Sequence, residues 1–149
     1  MKVVWANSGD PLNSTIGDYV SRRLYGRTGA FRDFTAMGVI DGERAVAGLV
    51  YYDFDRSAGV IQVSGAAETP RWLARNVLWE MFHFPFDEIG CQALVMRVDP
   101  EDRRLGRILP KLGFVKHVIP RLRGRDKPEA LYVLYDDVWR SNGFHKEHH

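Results

Sequence analysis

With 149 residues, of which 45% are hydrophobic and 27% charged, and a net charge of only +2, the chain has the composition of one water-soluble globular domain, and disordered and collagen-like classes are excluded. No apolar run approaches the ~18 residues of a membrane span, and Met1-Lys2-Val3-Val4-Trp5 turns polar too soon for a signal peptide, so a cytoplasmic protein without a membrane partner is expected. The lone Cys91 excludes an internal disulfide and reads as a small core residue.

In chain order, residues 2–6 are apolar enough for a first strand, which Asn7-Ser8-Gly9-Asp10-Pro11 breaks. Ile16, Tyr19, Val20 and Leu24 recur at helical spacing and predict a helix from Ser14 or Thr15 to about Tyr25. After a loop over 26–33, residues 35–40 and 45–54 flank Asp41-Gly42, the dipeptide of a tight hairpin, and a second turn at 55–59 leads into 60–64, so three strands form an antiparallel meander. Tyr51 and Tyr52 alternate, one toward the core and the other toward a pocket.

Residues 64–75, SGAAETPRWLAR, end that strand and open the longest helix, with Thr69 as N-cap and Pro70 at the first helical position. Leu73, Val77, Met81 and Phe84 form one apolar stripe, and Trp72, Trp79 and Phe82 a second. The helix is therefore expected to be largely buried, with Trp72 and Trp79 in the core and Pro85 at its end. Residues 91–98 are almost continuously apolar, as in a central strand reached by a helical crossover. A shorter helix over 101–112 closes on Gly113, with an irregular last turn at Pro110. Residues 114–122 and 130–135 form a last hairpin with a basic tip at 123–128. The tail 143–149 is expected to be disordered, which leaves 1–142 as the domain. The order of elements defines an α/β domain with a mixed, mostly antiparallel sheet of about seven strands.

The histidines are scattered and form no metal-ligand pattern, and neither a Gly-x-Ser-x-Gly elbow nor a phosphate-loop motif occurs. Between Arg97 and Lys127 ten basic residues face four acids, an excess that would attract an anionic cofactor, a substrate or nucleic acid, or else form a solvated face whose acids come from elsewhere in the fold.

Ala47-Gly48-Leu49-Val50, the strand at 60–64 and its helix, Leu94 to Val98, and Lys111-Leu112-Gly113-Phe114 together resemble the Gcn5-related N-acetyltransferase family over about residues 35–138. Gly48-Leu49-Val50-Tyr51-Tyr52-Asp53-Phe54, Arg71-Trp72-Leu73-Ala74-Arg75 and Phe84 to Cys91 look like a divergent branch common in phages and prophages. The resemblance implies helices on both faces of the sheet and acetyl-CoA, or a related acyl-CoA, as cofactor. Acyl transfer would be direct, in a ternary complex, to an amine on a small molecule, a protein or a nucleobase. Nucleic acid is a further partner compatible with the basic region, and a homodimer is a compatible assembly.

By position, the resemblance places the cofactor's pantetheine arm along Val63, Ser64, Gly65 and Ala66. Its pyrophosphate would meet the helix start at Thr69, Arg71, Trp72 and Arg75, where free N–H groups favour an anion. Asp102 aligns with a cofactor-contacting asparagine, and Leu109 stands where the family carries a tyrosine acid. Glu68 replaces a basic or amide residue of the pyrophosphate loop; turned toward the helix it would repel the cofactor, and turned away it would leave Thr69, Arg71 and Arg75 as a rebuilt cradle. Asp53 and Ser64, on strands bordering the acceptor side, are the first candidates for the catalytic base. The alternative function is an acetyltransferase fold without chemistry that binds nucleic acid or an acidic protein through residues 97–127.

Overall fold

In the computed structural model, which describes residues 1–142, β1 (Lys2–Ala6) leads into α1 (Pro11–Tyr25); the tail 143–149 lies outside the described residues. The Asp10 carboxylate accepts from the Leu12 N–H at 3.0 Å and Pro11 takes the first turn, so α1 starts earlier than its apolar spacing predicts. The buried Asn13 side chain donates to the carbonyls of Ala6 and Phe34, tying α1 to the chain on both sides of it.

β2 (Thr35–Asp41), β3 (Arg44–Asp55) and β4 (Val60–Ala67) form the expected meander, with β1 antiparallel to β2. β5 (Ala93–Val98) runs parallel to β4, and β7 (Lys127–Tyr135) lies between β5 and β6 (Val115–Gly124). All seven strands form one sheet in the order β1-β2-β3-β4-β5-β7-β6, in which β4–β5 is the parallel pair.

α1 covers one face, where glycines let it approach: a Cβ at Gly48 would lie 3.0 Å from Val20 Cγ2, and one at Gly38 3.2 Å from Ile16 Cδ1. The opposite face carries the row Tyr51, Val63, Met96 and Tyr132, register partners on β3, β4, β5 and β7. α2 (Arg75–His83) and α3 (Arg103–Lys111) pack there, with Val77, Met81 and Leu109 in the same buried cluster as the row. Helices thus lie on both faces.

The longest predicted helix is divided. Thr69 Oγ1 accepts from the Arg71 N–H at 3.3 Å and opens a 3-10 turn (Pro70–Trp72), and Ala74 is extended before α2 begins at Arg75. Pro85 does not end the helical path, which widens into a π-helical stretch (Phe84–Ile89) closed by Gly90. Pro85 has no N–H for the Met81 carbonyl, and that carbonyl instead accepts from the buried Tyr51 hydroxyl at 2.7 Å. Trp72 and Trp79 are partly buried rather than core: Trp72 packs against the core's edge and Trp79 stacks on His83 at 4.1 Å.

A short α4 (Asp136–Ser141), not expected from the sequence, places fully buried Trp139 against Phe86 at 5.2 Å. Gly113 makes this possible: its φ is +104°, and a Cβ there would lie 2.8 Å from Val138 Cγ1. Cys91 is a core residue, as expected, and burial raises its thiol pKa.

Candidate active site

The parallel pairing of β4 with β5 stops at Val63 and Met96. Beyond it, β4 stays paired with β3 as far as Ala67, and β5 with β7 as far as Val98, so the two strands splay apart with each held from its outer side. Gly65, Ala66 and Ala67 offer almost no side chain to fill the gap. A cleft of about 600 Å³ results, lined on one side by these three residues with Trp72 and Leu73, and on the other by Asp102 to Leu105 and Ile108. Met96 lies within it, and Arg23 and Leu24 of α1 reach its edge.

Of the expected cofactor contacts, Gly65, Ala66, Trp72 and Asp102 line this cleft. Val63 and Ser64 are buried where the strands part. Thr69, Arg71 and Arg75 lie on the turn and the first position of α2, beside rather than in the lining, and the Thr69 hydroxyl is engaged with the Arg71 N–H. Asp102 is the N-cap of α3, its carboxylate accepting from the Leu105 N–H at 3.1 Å. Ala74 gives α2 no side-chain cap, which leaves the first N–H groups of that helix without a side-chain acceptor from the cap position. The lining residues Arg23 and Ile108 escaped sequence reasoning because they come from elements whose relation to β4 depends on the sheet order, whereas Arg103 and Arg104 belong to the basic region expected to attract an anion.

Glu68 is held in two ion pairs. Its carboxylate accepts from Arg44 Nη2 at 2.7 Å and Arg23 Nη2 at 2.9 Å, toward β3 and α1. Hydrogen bonding from Arg44, helped by both positive charges, holds its carboxyl below the ordinary glutamate range.

On the α1 face, the Tyr52 hydroxyl lies 2.9 Å from Ser64 Oγ, the first β4 residue past the last β4–β5 rung. Burial raises the Tyr52 pKa against the opposing effect of this hydrogen bond. Asp53 has φ +53° at an irregularity where the β3–β4 register shifts between Tyr52 and Asp55. A side chain after Tyr52 would ordinarily turn to the other face; the left-handed backbone brings Asp53 back beside Gln62, whose Nε2 donates to it at 3.4 Å. A non-glycine residue held in this region carries strain, which often marks a functional position. Asp53 and Arg97 line two adjoining cavities, one of about 440 Å³ with Tyr25, Arg27, Phe31, Arg32 and Tyr52, the other of about 490 Å³ with Asp55 and Gln62. The structure therefore brings Asp53 and Ser64 to one face of the sheet, each next to Tyr52 or its neighbours, with Ser64 the more deeply buried.

Sequence reasoning also missed Tyr132. Its hydroxyl lies 3.6 Å from where a Cβ on Gly106 would be, beneath the α3 residues that line the cleft, and its register partner Met96 is itself in the lining. The signal was present in Gly106, the small residue within α3, but its meaning required the register of β7.

The basic region does not form one face. Arg103 and Arg104 line the cleft, while Arg97 and Arg123 both donate to the buried carboxylate of Glu129, Arg97 Nε at 2.8 Å. Among the described residues no group of His, Cys, Asp and Glu is arranged to hold a metal ion, and no helix is long and apolar enough to cross a membrane.

No family model matches the chain, and no curated protein is similar to it in sequence. Solved structures share its fold. The ribosomal-protein-S5-alanine acetyltransferase of Vibrio fischeri superposes with TM-score 0.68 at 13% identity, covering 92% of this chain and 93% of that one. A mutant spermidine N-acetyltransferase of Vibrio cholerae gives TM-score 0.67 at 10% identity, covering 95% and 100%. A protein of T. thermophilus assigned as an acetyltransferase gives 0.64 at 14%, covering 77% of this chain, which spans 64% of that protein's length. At such identities the likeness is one of fold: the chain has the Gcn5-related N-acetyltransferase fold, a seven-stranded mixed sheet with helices.

Proposed function

We propose that this chain is an N-acyltransferase that uses acetyl-CoA, or a related acyl-CoA, to acylate an amine directly in a ternary complex. The observation that carries the proposal is the splay of β4 from β5 just past Val63 and Met96, which opens a cleft walled by Gly65, Ala66 and Ala67 beside a helix start, with Glu68 held in ion pairs to Arg23 and Arg44. The residues fit the cofactor: a small-residue wall leaves room for a pantetheine arm, its backbone edge is free of β5, and Arg71 and Arg75 stand near the start of α2 for an anion. When bound, the cofactor supplies a thioester, an acyl group already activated for attack by nitrogen.

The chain's own residues then divide the work between the two faces. An amine reaching the splay from the α1 face meets Asp53, a carboxylate able to hold the ammonium and accept its proton, and the Tyr52–Ser64 pair. In the transfer a C–N bond forms and the C–S bond breaks; the amine proton passes to Asp53 or solvent, and the departing sulfur gains a proton. Tyr132, beneath α3 and on the opposite face, is our candidate for that proton, in place of the tyrosine that Leu109 replaces. Assignment to the phage and prophage branch rests on the three residue stretches named for it.

The direct test is thermal stabilisation by acetyl-CoA, since a ligand that binds only the folded state raises apparent stability. A shift that saturates with acetyl-CoA supports the reading, and the absence of one at millimolar concentration overturns it.

A further inference from the structure

The cavity on the α1 face has an uneven charge that no part of the acyl-transfer chemistry requires. Arg27, Arg32 and Arg97 line it with a single carboxylate, that of Asp53. Arg97 is engaged by Glu129, whereas Arg27 and Arg32 are exposed and form no ion pair among the described residues. Phe31, in the same loop, packs its ring 5.3 Å from that of Tyr52 and 6.1 Å from that of Tyr25. Asp53 is held there by strained backbone and, among the described residues, has only the long contact from Gln62.

A polycationic amine would meet three guanidinium groups in this cavity. A molecule carrying both an ammonium and an anion would meet complementary charge at each end: the carboxylate of Asp53 at the sheet, and the paired donors of Arg27 and Arg32 at the loop. We propose that the acceptor is a small amine that itself bears a carboxylate or phosphate, with its ammonium at Asp53, its anion at Arg27 and Arg32, and its body against Phe31 and Tyr52. The inference deepens the acyltransferase reading and rests on it. It separates this chain from the spermidine acetyltransferase that shares its fold, whose name specifies a polyamine.

The test uses the full chain with saturating acetyl-CoA and follows both thermal stabilisation by each amine and release of free thiol. L-phenylalanine and O-phosphoethanolamine serve as carboxylate and phosphate probes, phenethylamine and ethanolamine as their counterparts without the anion, and spermidine as the polycation. At least one anion-bearing amine is expected to exceed its counterpart and spermidine tenfold or more in kcat/KM or affinity, and the member that does so identifies the anion. Arg27→Gln and Arg32→Gln, both at exposed positions, should each reduce that preference at least threefold through KM, with acetyl-CoA stabilisation unchanged. If acetyl-CoA stabilises the protein but no anion-bearing amine exceeds its counterpart and spermidine, or if both variants keep the preference, the acceptor inference falls alone. If acetyl-CoA does not stabilise the protein, the acyltransferase reading falls and takes the inference with it.

Discussion

Val63 and Met96 form the last rung between the two parallel strands, and the cleft begins where that rung ends. Ala66, one of the small residues just past it, is register partner to Gly48 on β3 and lines the gap. Ala66→Phe should therefore place a ring on the α1 side of the splay, where Arg23 and Leu24 edge the cleft, while leaving the β3–β4 ladder in place. At a ligand concentration a hundredfold above Kd the wild-type protein should gain about 2.7 kcal/mol from acetyl-CoA, and the variant should gain almost none. Thermal melts with and without acetyl-CoA measure both; a variant that retains the full gain would mean that the cofactor binds elsewhere.

Tyr132 makes no hydrogen bond to another described residue through its hydroxyl, and the residue is 1% exposed. Tyr132→Phe should thus be at least as stable as the wild type, since it removes a polar group from a buried position. If the hydroxyl protonates the departing sulfur, kcat should fall by about 10²-fold, within the range of general acid catalysis, with KM for acetyl-CoA nearly unchanged. The loss should be smallest for acyl donors whose thiol leaves most readily. Steady-state kinetics with two thioester donors distinguishes this from a packing role, which would leave kcat alone or change it equally for both.

Glu129 is 2% exposed and accepts from both Arg97 and Arg123. Replacing the carboxylate by an amide leaves one acceptor oxygen for two guanidinium groups, although at 41% and 32% exposure both can recover water. Glu129→Gln should cost about 2–3 kcal/mol, below the ~3–5 kcal/mol of a fully buried broken pair. Urea unfolding measures it, and a cost near zero would show that solvent replaces the carboxylate completely.

The Glu68 carboxyl is held below its ordinary pKa by Arg44 and Arg23, and its folded value is lower than its unfolded one. The stabilisation it supplies is therefore present at neutral pH, above the unfolded value, and is lost as pH falls through the depressed folded value. Glu68→Gln should have a slightly lower urea midpoint than the wild type at neutral pH, and the gap should close in acid. The same variant should bind acetyl-CoA at least as tightly, since the carboxylate is engaged by Arg44 and Arg23 and is not needed to hold the cofactor. A gap independent of pH would contradict the pairing, and weakened acetyl-CoA binding would contradict the placement of the carboxylate.

The fold was legible because its main signals are local. Asp41-Gly42 marks a hairpin, the apolar run at 91–98 a central strand, observed over Ala93–Val98, and Gly113 a helix end whose φ and close neighbour both require glycine. The helix after β4 was misread because Trp72, Leu73 and Val77 continue an apolar pattern through a stretch where Thr69 opens a separate turn and Ala74 is extended. Pro85 was misread as a terminator because the partner of the carbonyl it leaves free, Tyr51, lies on a distant strand. α4 is six residues long, too short for periodicity to reveal. The same distinction governs the site. Gly65 and Ala66 are contiguous small residues and could be found, although Ala67 beside them was not; Tyr132, Arg23 and the pairing of Glu68 with Arg44 depend on strand order and register. Asp53 could be named as a candidate, but the backbone that turns it toward Gln62 is invisible in its neighbours' identities.

The most direct test of the account is a crystal structure of the protein with acetyl-CoA. The pantetheine arm should lie between Gly65–Ala67 and the Met96–Ile108 side of the splay, with the pyrophosphate at the start of α2 and the Glu68 carboxylate still on Arg23 and Arg44. A cofactor bound outside the splay, or a splay that remains empty at saturating acetyl-CoA, would contradict it.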